Sequence, residues 1–155
     1  MKLNRSYIYF MLAWLGLPGP TLAQEPIVYN TQESYEQVKE NLEFAITNQG
    51  LLISGVLKVA YMLDNTRKDL GYESVLLQGD SFYFCSAQHT YAMIAADPRN
   101  IVNCPFSVAV YVTLDEPDVV YVAYRPPQIL GPNGEQATSD LAKLLDTIAR
   151  NTVEE

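Results

Sequence analysis

The segments FCSAQHTYAM (84–93) and NIVNCPF (100–106) contain both cysteines and the single histidine of the chain. Three chemistries suit these residues. Cys85 and Cys104 can close one disulfide in an oxidising compartment, where an even cysteine count favours pairing. Closing such a loop restricts the unfolded chain by about 3 kcal/mol in the entropy model, provided the Cα atoms lie within about 7 Å. Alternatively, Cys85, His89, Met93 and Cys104 offer thiolate, imidazole and thioether, a soft set suited to copper(I). His89 and Met93 would share a helix face, but the spacing matches no metal signature and Met93 equally suits core packing. Zinc would need a fourth ligand from elsewhere. The third chemistry is a reactive thiol: Cys85 at a helix N-terminus, with His89 as base one turn on. Nucleophilic catalysis also needs a group that orients the base, and nothing in the sequence aims the nearby Asp80 or Asp97 at His89. The expectation is therefore the disulfide, with the metal or redox set as the alternative and no catalytic residue assigned.

Tyrosines form a second pattern. Tyr83, Tyr91, Tyr111, Tyr121 and Tyr124 fall on or beside segments that read as strands. Tyrosine suits a half-buried β face, so packing is the plain reading. The functional reading is an aromatic ligand face of Tyr111, Tyr121 and Tyr124, with Arg125, just before Pro126-Pro127, as its polar handle. No glycine-rich phosphate loop, serine-nucleophile elbow or paired-carboxylate constellation is present.

The elements that must position these residues alternate. EPIVYN reads as a short strand. Tyr35, Val38, Leu42, Ala45 and Ile46 recur at helical spacing, capped by Asn30 or Thr31, with Ser34 as a second choice, and stopped at Gly50. LLISGVLKVAYML reads as a strand in which Gly55 marks a bulge or a close approach, and DNTRKDLGY as a short helical turn or loop. A strand ending at Cys85 is followed by a helix over 88–96, which Asp97-Pro98 closes. FSVAVYVTL and PDVVYVAYR form a hairpin around Asp115-Glu116-Pro117. Ser139 or Thr138 caps a last helix lined by Leu141, Leu144, Leu145 and Ile148. The order β-α-β-(α)-β-α-β-β-α predicts a single α+β domain: an antiparallel sheet with helices packed on one face.

Composition narrows the setting. The chain has 155 residues, 48% of them hydrophobic, with 18 acidic against ten basic residues and a net charge of −8. MKLNR, the apolar SYIYFMLAWLGL and PGPTLAQ have the layout of a secretory signal peptide, with Thr21 and Ala23 at the positions a signal peptidase reads. The run Tyr7–Leu17 is too short to span about 30 Å of hydrocarbon, so no stable membrane anchor is expected after cleavage. Residues 1–23 are thus read as a leader and 24–155 as the domain. Cleavage removes Lys2 and Arg5 but no acid, which makes the remainder more acidic. Such a surface repels phosphate backbones and anionic lipid, which excludes nucleic acid as an expected partner.

The glycine-ended helix, FCSAQHTYAMIAADPRN, NCPFSVAVYV and VYVAYRPP together resemble the domain of unknown function 302 family. The resemblance covers roughly Ile27 to Arg150, and its most specific part is the pair FCSA and NCPF. It implies a fold similar to the TATA-binding-protein-like arrangement, a curved antiparallel sheet covered by helices. A shared fold implies no DNA binding. The resemblance carries no activity and no cofactor.

The functional expectation is an exported, periplasmic or secreted binding or accessory module without catalysis, for an unknown small molecule or protein. A thiol- or copper-type protein is the alternative. Mass analysis of exported protein should find a chain that begins at Gln24 or within a few residues of it. Because Trp14 is the only tryptophan, that chain should lack tryptophan fluorescence; an intact Met1 on exported soluble protein would overturn the expectation.

Overall fold

The computed structural model describes residues 24–154, so the expected leader and its cleavage point lie outside the described residues. Five strands form one sheet: β1 (Ile27–Thr31), β2 (Leu52–Lys58), β3 (Gln78–Cys85), β4 (Phe106–Val112) and β5 (Val120–Tyr124). Their order is β1-β5-β4-β3-β2, and every neighbouring pair is antiparallel. The helices are α1 (Tyr35–Asn48), α2 (Val59–Leu70), α3 (Ala87–Ala96) and α4 (Gly134–Glu154), with a 3₁₀ segment at Pro98–Asn103. This is the expected α+β order.

Alternation along the strands builds the core. Phe82 and Phe84 of β3, Val108 and Val110 of β4, and Val122 of β5 are fully buried on one face of the sheet. Against them pack Val38, Leu42 and Ile46 of α1, Met93 of α3, and Leu141, Leu145 and Ile148 of α4. Burying one such side chain contributes about 1.5–3 kcal/mol, so this layer dominates stability. α1 and α4 are also joined by Asn41, whose Nδ2 donates to the Thr152 carbonyl at 3.4 Å.

Three local readings need correction. First, β2 ends at Lys58, and VAYML belongs to α2 together with most of the polar stretch after it. The Gly55 irregularity is present, as the register shifts between Ile53 and Gly55. α2 buries only Ala60 and closes on Gly71, a left-handed cap with Arg67 and Lys68 in the last turn. It also departs from the expected single helical layer. Ala60 lies against Gly79 and Tyr111 on the sheet face opposite the core, where a Cβ on Gly79 would sit 3.8 Å from the Ala60 Cβ. Second, α1 is capped by Ser34, whose Oγ accepts from Gln37 N at 3.3 Å; Asn30 and Thr31 remain in β1. Third, α4 begins at Gly134, several residues before Thr138 and Ser139. A Cβ there would lie 2.5 Å from the Ile129 carbonyl oxygen, so the chain enters the helix where only glycine fits. Thr138 instead accepts a hydrogen bond from Ile129 N at 3.2 Å.

Truncating the core should be far costlier than truncating an exposed aromatic. Phe82→Ala is expected to lower the unfolding free energy by about 3–5 kcal/mol. Tyr91→Ala, at a side chain 79% exposed on α3, should change it by less than about 0.5 kcal/mol in the same denaturant titration.

Candidate functional site

The chemistry-bearing residues gather where β3 ends. Ser86 follows Cys85 and caps α3. The helix leads through Asp97 into the 3₁₀ segment, which returns the chain to Cys104 and β4. Cys85 and Cys104 are bonded to one another, with Cα atoms 6.1 Å apart. That separation lies inside the range a disulfide spans without backbone displacement.

The remaining members of the soft-metal set do not join them. Met93 is fully buried in the core, its sulfur enclosed by the helical layer. His89 lies beside Ser86, with Nδ1 2.8 Å from Ser86 Oγ, and it faces a cavity of about 400 Å³ shared with Asp140 and Lys143 of α4. With both sulfurs in a disulfide, no thiolate is available to a soft metal. Among the described residues, no group of three or more histidine, cysteine or acidic side chains is placed to hold an ion. The acids considered as partners for His89 are committed elsewhere. Asp80 pairs with Lys39 at 3.2 Å. Asp97 binds Arg99, and its carboxyl is held down at about 2 by the Arg99 guanidinium and the Arg99 backbone N–H. The one hydroxyl–imidazole contact, Ser86 with His89, is a poor nucleophile–base pair. Ser86 is only 6% exposed, and its oxygen also accepts the His89 N–H as a helix cap.

The tyrosine face divides. Strand alternation puts Tyr121 and Tyr124, an odd number of residues apart, on opposite sides of β5. Tyr111 and Tyr121 stack with ring centroids 5.2 Å apart on the face away from the core, and the Tyr121 hydroxyl donates to Glu116. Tyr124 is buried on the helical side, where its hydroxyl donates to Asp146 Oδ1 at 3.1 Å. Arg125 lies past the end of β5 and lines a different cavity. The four residues therefore form no common ligand face.

That cavity, of about 410 Å³, is walled by the 3₁₀ segment and the chain after β5. Arg99, Asn103, Arg125 and Gln128 supply its polar lining, with Val102 and Leu130 as apolar wall and Gln24 at its edge. Asn100 holds the two walls together. It is buried, and its Nδ2 donates to the carbonyls of Met93 (2.9 Å) and Leu130 (3.0 Å), while its Oδ1 accepts from Leu130 N at 2.9 Å. Sequence reading missed Asn100, since an asparagine after a proline turn gives no sign that it bridges chain 30 residues away.

The domain of unknown function DUF302 family model matches residues 27–152. The chain belongs to the DUF302 family. Its fold is similar to that of an uncharacterized conserved DUF302 protein from Bacillus stearothermophilus. The TM-score is 0.68 at 14% identity, over 82% of this chain and 97% of that one. At that identity the likeness is one of fold. No curated protein matches the chain.

A further cluster in this DUF302 domain was not anticipated. Asp146 of α4 accepts from Tyr29 (2.5 Å) and Tyr124 on Oδ1 and from Arg150 (2.7 Å) on Oδ2. The Arg150 guanidinium also lies 4.9 Å from the Tyr29 ring centre. The Asp146–Arg150 spacing was a visible signal, as charges four apart on a helix meet. Burial pushes the Asp146 carboxyl up, but the hydrogen bonds from Tyr29, Arg150 and Tyr124 outweigh it and hold the carboxyl below its ordinary value. The Tyr29 phenol is raised, chiefly by that hydrogen bond, and the Tyr124 phenol is raised by burial and then by the Asp146 charge.

These shifts fix a pH window. A depressed carboxyl stabilises the fold above the ordinary aspartate range, and that contribution is lost as pH falls through the folded value. Raised phenols stabilise it below about pH 10, and that contribution is lost as pH rises through their folded values. Asp146→Asn should therefore cost about 1 kcal/mol near neutral pH, allowing for the partial exposure of the pair. The gap to the native protein should narrow at both extremes in pH-dependent denaturation.

Proposed function

We propose that this DUF302 domain is an exported, disulfide-braced binding module that performs no catalysis. Its ligand seat is the cavity between the 3₁₀ segment and the chain after β5. One observation carries the reading. Lys39, Arg67, Arg99, Lys143 and Arg150 are ion-paired within the domain, whereas Lys58, Lys68 and Arg125 have no acidic partner among the described residues, and of these three it is Arg125 that lines that cavity. The recess is open, with Asn100 its one buried lining residue, but it brings a few polar groups together beside an apolar wall, as small-molecule sites do. Asn103, next to Cys104, lines the same recess, so the disulfide braces its wall. Export is the condition under which such a disulfide persists. The copper-type alternative has less support, because the sulfurs are bonded and Met93 is in the core.

Two measurements test the reading. Protein purified without reductant should titrate no thiol, and reduction should lower stability by about 3 kcal/mol while leaving it folded. In a thermal-shift panel of small anionic, neutral and cationic molecules, a ligand should raise the midpoint and perturb the backbone amides of 99–103 and 125–130. Stoichiometric copper(I) binding by the oxidised protein, abolished by His89→Ala, would replace this reading with the alternative. A panel without a single response would also overturn it.

A further inference from the structure

The cavity's lining specifies a class of ligand. Its charged residues are Arg99 and Arg125, and it contains no aspartate or glutamate, in a chain where acids outnumber bases 18 to ten. Arg99 spends Nε and Nη2 on Asp97, which leaves part of its guanidinium unengaged. No hydrogen bond or ion pair within the described residues engages the side chains of Arg125 or Gln128. Asn103 donates from Nδ2 to the Asn100 carbonyl at 3.2 Å, which orients its amide at the wall. Donors thus exceed acceptors on the polar side.

The other side is apolar. Val102 is 84% exposed and Leu130 49% exposed, both beside Pro126. A guanidinium fork matches a carboxylate in two parallel hydrogen bonds, and side-chain amides complete the set. Phosphate would also satisfy the arginines, but it would leave the valine–leucine wall without a partner.

We infer that the cavity binds a small monocarboxylate bearing an aliphatic group, with Arg125 on the carboxylate and Val102 and Leu130 on the tail. This rests on the binding-module reading and names the ligand class of the same site. Volume agrees: about 410 Å³ lies within the ~300–1,000 Å³ usual for small-molecule sites. Arg125 is the specificity-determining residue. It is exposed and takes no part in the fold's own hydrogen bonding, so its replacement tests binding with little effect on stability.

The experiment uses the oxidised protein and four probes: hexanoate, hexanol, hexylammonium and inorganic phosphate. Calorimetry is combined with backbone amide shifts. Hexanoate should bind and move the amides of 99–103 and 125–130. Arg125→Gln should weaken it about tenfold or more with an unchanged thermal midpoint, and added salt should weaken it as well. Gln128→Ala should weaken it by a smaller factor. Phosphate binding as tightly as hexanoate, with the same loss in Arg125→Gln, would overturn the aliphatic carboxylate in favour of a general anion site. Hexanol or hexylammonium binding in preference to hexanoate would overturn the ligand class while leaving a binding module in place. No amide response at the cavity to any probe would overturn this inference, and the wider ligand panel would then decide the module reading separately. Hexanoate binding undiminished in Arg125→Gln would remove Arg125 from the site.

Discussion

Seven matched positions join β3 to β4, from Gln78 opposite Val112 to Phe84 opposite Phe106, and that register decides which side of the sheet every other residue faces. A slip of one residue would turn Phe82 and Phe84 to the open face. It would also bring Cys85 and Tyr83 under the helices. Burial on the helical side resists this: five aromatic and aliphatic side chains of the three central strands are fully enclosed there. β5 inherits the same phase from β4 through Val108 opposite Tyr124 and Tyr111 opposite Tyr121, and β1 inherits it from β5. The stacked tyrosines on one face and the Tyr124–Asp146 bond on the other both follow from this single alternation.

The end of β3 shows how the alternation reaches the candidate site. Cys85 belongs to the open-face phase, so its sulfur points away from the core and can meet a chain that returns outside the helical layer. The 3₁₀ segment makes that return. It is held from beneath by Asn100, which donates to the Met93 carbonyl, an acceptor shared with the Asp97 N–H, and makes two hydrogen bonds with the Leu130 backbone. Gly131 completes the junction: its φ is +93°, and a Cβ there would lie 2.2 Å from the Ala96 carbonyl oxygen. The close approach of this chain to the end of α3 leaves the recess lined by Arg125 and Gln128. Disulfide, asparagine and glycine thus act on one short stretch of backbone, and rigidity there limits the ordering cost of any ligand.

Much of this was legible in the residues, and the parts that were not have identifiable causes. The strands around Phe82, Val110 and Val122 are rich in valine, phenylalanine and tyrosine, and their burial matches the alternation. α1 and α4 carry apolar faces with the expected spacing. The start of α2 reads as strand because VAYML continues the apolar run of β2 without a break, and the helix buries only Ala60. Its usable signal was at the far end, in Arg67-Lys68 before Gly71. The start of α4 was misplaced because capping rules look for a hydroxyl, whereas steric access selects Gly134. The proposed tyrosine face failed on parity alone. Tyr121 and Tyr124 cannot share a side of one strand, which spacing in the sequence already implied. Asn100 and the Tyr29–Asp146 bond join residues 30 and 117 positions apart, and no local pattern encodes such contacts.

An excess of acid and a cation-lined recess coexist because they act over different distances. The domain's negative charge sets the far field, which at physiological ionic strength decays over about 8 Å and opposes the approach of anions. Inside the recess the lining charges are two guanidinium groups; Arg99 is already paired with Asp97, so the cation left without an acidic partner there is Arg125. A carboxylate that enters meets donors at hydrogen-bond distance, where the local term exceeds the screened sum of remote acids. Added salt relieves the far repulsion and weakens the near attraction together. The net effect of salt should therefore be a weakening of binding, less steep than the near attraction alone would give.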